Sequence, residues 1–192
     1  MTRRWHCLPD LPFADGPLTL AAVQDGDIEP IRTWRNAQMA VLRQTAPISP
    51  EGQRSYFERA IWPTMAQARP ANILLTIFWD GARIGYGGLV HVNWDHRRAE
   101  MSFLLAADLA GTPAETATYL PAFVTGLGLL AARDLGLRKL TTEAYAFRTG
   151  LMSCLEANGF RRVGVLRQHA LVDGQPVDSV IHEKLLASAH AS

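Results

Sequence analysis

Residues Arg138 to Leu186 read RKLTTEAYAFRTGLMSCLEANGFRRVGVLRQHALVDGQPVDSVIHEKLL. Lys139 to Tyr145 is a strand candidate, and Thr149 to Asn158 is a short helix candidate. Gly159 and Phe160 open two further strand candidates joined at Asp173-Gly174, a dipeptide that suits a tight hairpin.

Working outward, Tyr119 to Leu135 is long, apolar and rich in alanine and leucine, and Gly136 stands where a helix would stop. Before it come three runs that read as successive antiparallel strands. These are Asn72–Trp79, Arg83–Val92 after the Asp80-Gly81 turn, and Ala99–Leu105. Leu18–Val23 reads as a first strand. Asp27 to about Met39 reads as a helix with Ile28, Ile31 and Trp34 on one face. Ser49-Pro50 is a second helix start, since serine can accept from freed N–H groups and proline suits the first turn. The order β-α-α-β-β-β-α-β-α-β-β predicts an α+β fold with a mixed, mostly antiparallel sheet flanked by helices. We expect one domain over 1–192, with 1–17 an irregular extension and 187–192 a frayed tail.

Composition narrows the classes. The formal net charge is +1, so long-range attraction to nucleic acid or to an anionic membrane is not expected. No apolar run approaches the roughly 20 residues of a membrane span. The N-terminus, broken by Pro9, Pro12 and Pro17, lacks the apolar stretch of a secretion signal. Cys7 and Cys154 form no metal-ligand cluster, so no metal is expected. A cytoplasmic protein is the default reading.

The stretch from Arg138 resembles the C-terminal half of the GNAT superfamily of CoA-dependent N-acetyltransferases, in particular the group that acetylates ribosomal-protein N-termini and amino sugars. The element order is also that of the GNAT fold. The resemblance implies acetyl-CoA as donor substrate. It implies a primary amine as acceptor: a small molecule, an amino sugar or a peptide N-terminus. It further implies direct attack through a tetrahedral intermediate, in a monomer or homodimer.

Family members bind the CoA diphosphate in a glycine-rich loop before a helix, where N–H groups and the helix dipole meet the anion. Counting back along the helix puts that loop near Pro113–Thr118. Thr116, Ala117, Thr118 and Tyr119 would supply its amides, although threonines stand where glycines are usual and Glu115 adds negative charge. Gly126-Leu127-Gly128 reads instead as glycines for close helix–sheet packing. Arg148 stands where members carry a pantetheine-binding asparagine; it could pair with phosphate or simply face solvent. Leu151, on the same short helix, belongs to the implied donor contacts. Leu155 replaces a tyrosine acid found in many members. The backbone of Met101, Phe103, Leu104 and Leu105 would meet the thioester arm.

Glu100, in Ala99-Glu100-Met101-Ser102-Phe103, resembles the family's A-E-I-G-Y strand and is the candidate general base; its competing role is an ion pair with Arg97 or Arg98. Tyr145 is the alternative acid, or core filler with its hydroxyl at the rim. Glu143 shares its face by two-residue spacing. Arg35 and Arg43 are candidate acceptor contacts, as is Glu143. His91 and His96 are spaced against a shared metal site. The altered loop and the missing tyrosine motivate a second reading, a GNAT-fold binding or assembly module without catalysis.

Overall fold

The computed structural model describes residues 2–187. Its strands are β1 (Phe13–Asp15), β2 (Leu18–Ala22), β3 (Ile73–Trp79), β4 (Ala82–Asn93), β5 (Arg98–Leu105), β6 (Lys139–Tyr145), β7 (Arg161–Val172) and β8 (Gln175–Leu185). They form one sheet in the order β1-β2-β3-β4-β5-β6-β8-β7. Every pairing is antiparallel except β5 with β6. The mixed, mostly antiparallel sheet expected from the sequence is therefore present. Asp173 and Gly174, at φ 50° and 74°, close the last hairpin, the left-handed pair that matches strand twist.

The helices are α1 (Ile28–Ala37), α2 (Pro50–Tyr56), α3 (Leu120–Leu129) and α4 (Thr149–Ala157). Ser49 caps α2 as its sequence predicts, its Oγ accepting from the Gly52 N–H at 3.0 Å. Single-turn π-helical segments extend α2 through Phe57–Ile61 and flank α3 at Glu115–Tyr119 and Leu130–Asp134.

Alternation along β4 divides the layers. Tyr86 faces a cavity roofed by α1 and α2, while a side chain at Gly87 would strike Phe123 of α3. The two helix pairs therefore lie on opposite faces of the sheet. Gly126 fills the role expected of it: a Cβ there would sit 2.9 Å from Phe13 and 3.0 Å from Leu18, so its bare backbone lets α3 close onto β1 and β2.

The N-terminal segment differs from the expected irregular extension over 1–17. Phe13–Asp15 pairs with β2 as an edge strand. Trp5 is fully buried, and its indole N–H donates to the Leu74 carbonyl at 2.9 Å. The prolines hide periodicity here, but one large aromatic side chain with a satisfied N–H is enough to dock the segment. Of the tail expected to fray, residues 188–192 lie outside the described residues.

Asp27 is buried, at 1% exposure. Its carboxylate accepts from Thr76 Oγ1 and the Gln24 N–H, both at 2.7 Å, and meets Arg83 at 2.8 Å. These contacts bind the start of α1 to β3 and β4. Asp27→Ala leaves Thr76 and the Gln24 N–H without their acceptor, and should cost about 3 kcal/mol of unfolding free energy in urea melts. A loss under roughly 0.5 kcal/mol would show that the network does not hold these elements together.

Candidate active site

β5 and β6 pair over only three rungs: Arg98 with Lys139, Ala99 with Leu140, and Glu100 with Thr141. Beyond Glu100 they part. The carbonyls of Ser102 and Leu104 lie against Gly87 and Gly85 of β4, and the Ala106 N–H donates to the Ile84 carbonyl. Alternate residues of a strand present their backbone to opposite edges. The backbones of Met101, Phe103 and Leu105 therefore turn toward β6, where the Met101 N–H completes the rung of Glu100 with Thr141 and those of Phe103 and Leu105 enter the gap, whereas that of Leu104 turns to β4. Gln38 reaches this edge from α1's C-terminus, its Nε2 donating to the Leu105 carbonyl at 2.8 Å.

A cleft of about 660 Å³ adjoins the gap. One wall is Ala37–Val41; the others are residues 107–116 and the start of α4 at 147–151. The helix that leads into α3 begins at Pro113, so Pro113–Thr118 forms its first turns rather than a loop. Of the predicted loop residues, Pro113, Glu115 and Thr116 line the cleft. Ala117 and Thr118 follow around the helix, and Tyr119 packs edge-on against Trp79 at 5.2 Å. Arg148 and Leu151 line the cleft opposite Thr116.

The anion position at this helix start is taken by the protein itself. Glu115 is buried, at 6% exposure, and accepts from the Gly111 N–H at 2.5 Å. Its other oxygen is 3.5 Å from the Arg148 guanidinium. Burial pulls Arg148 below its ordinary range, and the Glu115 charge works against that. Leu155 is buried core. Cys154 ties α4 to this helix, its thiol donating to the Thr116 carbonyl at 3.1 Å, and burial raises its pKa. It serves packing, not nucleophilic chemistry.

On the α1/α2 face, Glu100, Glu143 and Tyr145 are in line: Glu100 opposes Thr141, and the other two follow at two-residue steps. Glu100 and Tyr145 are nevertheless separated by roughly 13 Å of strand. Glu100 pairs with neither Arg97 nor Arg98; its partner is His91, Nδ1 to Oε2 at 3.1 Å. A β4 bulge, with His91 at φ 51°, brings that about, and two-residue alternation could not foresee it. Burial raises the Tyr56 hydroxyl above its ordinary value, Tyr86 adds to this and Arg35 opposes it.

The candidate acceptor residues divide between two cavities. Arg35 lines one of about 360 Å³ with Gln53, Tyr56, Tyr86 and Ser102, and donates to the Tyr86 hydroxyl at 2.8 Å. Arg43 and Tyr145 line another of about 600 Å³ with His169. There Glu143 meets Arg43 at 2.5 Å, and Tyr145 donates to the Leu42 carbonyl at 3.3 Å. His169 was not singled out by the sequence, because a β7 bulge places it. Among the described residues, no group of three His, Cys, Asp or Glu side chains could hold a metal ion, and no helix is long and apolar enough to cross a membrane.

The sequence matches the acetyltransferase (GNAT) domain family over residues 20–181. A mixed sheet with a split parallel pair, and a match over most of its length, make this chain a member of the GNAT acetyltransferases. It is an acetyl-CoA-dependent enzyme that moves an acetyl group to an amine. Among solved structures, its fold is similar to the spermidine N-acetyltransferase of Vibrio cholerae in complex with CoA and spermine. That pair has a TM-score of 0.75 and 20% identity, covering 88% of this chain and 96% of the other. A dodecameric structure of the same Vibrio cholerae enzyme in an intermediate state gives a TM-score of 0.74 at 18% identity, covering 88% and 94%. At these identities the likeness is one of fold. No curated protein matches the sequence.

The cleft and the unpaired β5 edge fit a pantetheine arm, but Glu115 opposes a diphosphate at the helix start. Two like charges 4 Å apart repel by about 4 kcal/mol near a protein surface. Glu115→Gln keeps an acceptor for the Gly111 N–H and removes the charge. It should tighten CoA binding about tenfold, or about 1.4 kcal/mol, by isothermal titration. Weaker binding by the variant would show that the carboxylate assists the donor.

Proposed function

We propose that acetyl-CoA lies with its pantetheine arm along the free edge of β5 and its diphosphate at the helix start near Thr116. Arg148 then exchanges Glu115 for a phosphate oxygen, a bidentate partner suited to guanidinium. The thioester carbonyl is held by an N–H from Phe103 or Leu105. The acceptor is a primary amine that enters through the cavity of Arg43 and Tyr145, and Glu143 lies under its path. Arg35 lines a neighbouring cavity on the same face and extends the acceptor surface.

Attack forms a tetrahedral intermediate, and the β5 amides stabilise its oxyanion. Glu100, at the closed end of the gap, accepts a proton from the acceptor nitrogen, and Tyr145 protonates the departing thiolate. The observation that carries this reading is the β5 edge from Phe103 to Leu105, which has no β6 partner once β6 diverges. Both cysteines are free thiols, which suits a reducing compartment, and we place the enzyme in the cytoplasm. The long β7 edge offers a surface for a second copy, so monomer and homodimer are both retained.

Two measurements test the reading. CoA at 100 times its dissociation constant should stabilise the protein by about 2.7 kcal/mol in thermal melts; no shift at millimolar CoA would contradict the donor assignment. Spermidine, the substrate named for the Vibrio cholerae neighbour, heads a panel of amines to be assayed with acetyl-CoA. With the best of these, Glu100→Gln should lower kcat about a hundredfold and leave CoA affinity unchanged. An unaltered kcat would remove Glu100 from the chemistry.

A further inference from the structure

Three residues of β7, Arg167 to His169, stand opposite the single residue Asp178 of β8. After an earlier one-residue bulge at Val163, pairing runs regularly from Gly164 with Ile181 to Leu166 with Ser179 and resumes at Ala170 with Val177. The bulge is pinned. Gln168 adopts φ 50°, and its N–H donates to Asp178 Oδ1 at 2.7 Å. Bulges of this kind re-aim a side chain. Here the side chain is His169, which turns over β6 until Nε2 is 3.7 Å from Glu143 Oε1.

That oxygen is notable for lacking company. The Glu143 side chain is 12% exposed, and Arg43 takes its Oε2 at 2.5 Å. Oε1 is buried and has no hydrogen-bond partner. The imidazole N–H of His169 is the donor positioned to approach it. A proton on Nε2 directed at Glu143 leaves Nδ1 as the ring's acceptor. His169 itself is 46% exposed and lines the acceptor cavity with Arg43, Tyr145 and Asp173. A carboxylate that orients an imidazole beside a substrate cavity is an arrangement for moving protons.

We infer that His169, positioned by Glu143, takes the first proton from the acceptor ammonium, and that Glu100 takes the second. This rests on the amine-acetylation reading above. An alkylammonium with a lysine-like pKa of about 10 enters fully protonated near neutrality. It must lose two protons to become an amide nitrogen. His169 Nδ1 accepts the first and, being half exposed, returns it to water. The freed nitrogen lone pair forms the N–C bond to the thioester carbonyl. Glu100 removes the second proton from that nitrogen. The C–S bond then breaks, its electron pair leaves with sulfur, and Tyr145 protonates the thiolate. Glu100 returns its proton to solvent and Tyr145 regains one from solvent, so the cycle releases one net proton, the amide and CoA. Glu143 touches no reacting atom and is a positioning residue.

The test is the pH profile of kcat/KM for wild type, His169→Gln, Glu143→Gln and Glu100→Gln. It uses acetyl-CoA and the best amine of the panel headed by spermidine. His169→Gln should be about a hundredfold slower near pH 7, and its deficit should close as the pH approaches the amine's own pKa of about 10. Glu143→Gln should follow the same profile with a smaller deficit. The Glu100→Gln deficit should persist at every pH. Affinity for CoA, measured by titration, should be unchanged in all three. A His169→Gln deficit that is equal at all pH values, or absent, overturns the inference and leaves the acetyltransferase reading standing. A wild-type protein that binds CoA but acetylates no amine in the panel overturns the acceptor reading and this inference together.

Discussion

The parting of β5 and β6 after Glu100 and Thr141 is the constraint on which the site depends. Backbone amides withdrawn from water need partners, and a sheet usually supplies them from the next strand. Here β5 stays bound to β4, because Gly85 and Gly87 let the two backbones approach, while β6 follows β8 along all seven of its residues. The gap between them is therefore held open from both sides. Gln38 occupies one carbonyl at its far end. The remaining N–H groups form a one-sided ladder suited to an extended ligand with amide groups of its own, as a pantetheine arm has.

Charge is arranged along that slot with some economy. At the cleft Glu115 and Arg148 form a partly buried pair. On the α1/α2 face Glu143 is held by Arg43, with His169 beside it. Residues 37–45 are the shared wall: Ala40 borders both the cleft of Thr116 and Arg148 and the cavity of Arg43 and Tyr145. The cost of parting each ion pair is modest where one partner is exposed, as Arg43 is, and greater where both are covered, as with Glu115 and Arg148.

Much of this was legible in the sequence, and the reasons are local. Lys139–Tyr145 and the Asp173-Gly174 hairpin follow from strand composition and turn chemistry. Ser49-Pro50 announced its helix through capping. The small residues Gly126 and Gly128 read as packing, and Gly126 has no room for a side chain. What escaped was non-local or irregular. Phe13–Asp15 pairs and Trp5 buries because of contacts with strands far along the chain. The helix into α3 starts at Pro113 because Glu115 satisfies the preceding Gly111 amide from within, which made a stretch expected as loop the first turns of a helix. His91 and His169 reach Glu100 and Glu143 through bulges. A bulge adds residues on one strand only, and a period of two read from a single sequence does not reveal it.

Backbone hydrogen exchange with and without acetyl-CoA tests the central claim most directly. If the parted edge of β5 holds the donor, the amides of Phe103 and Leu105 should exchange more slowly in the complex, and those of Met101, already paired with Thr141, and of Ser102 and Leu104, already facing β4, should change little. Saturating acetyl-CoA that leaves all five amides at their free rates would contradict the account.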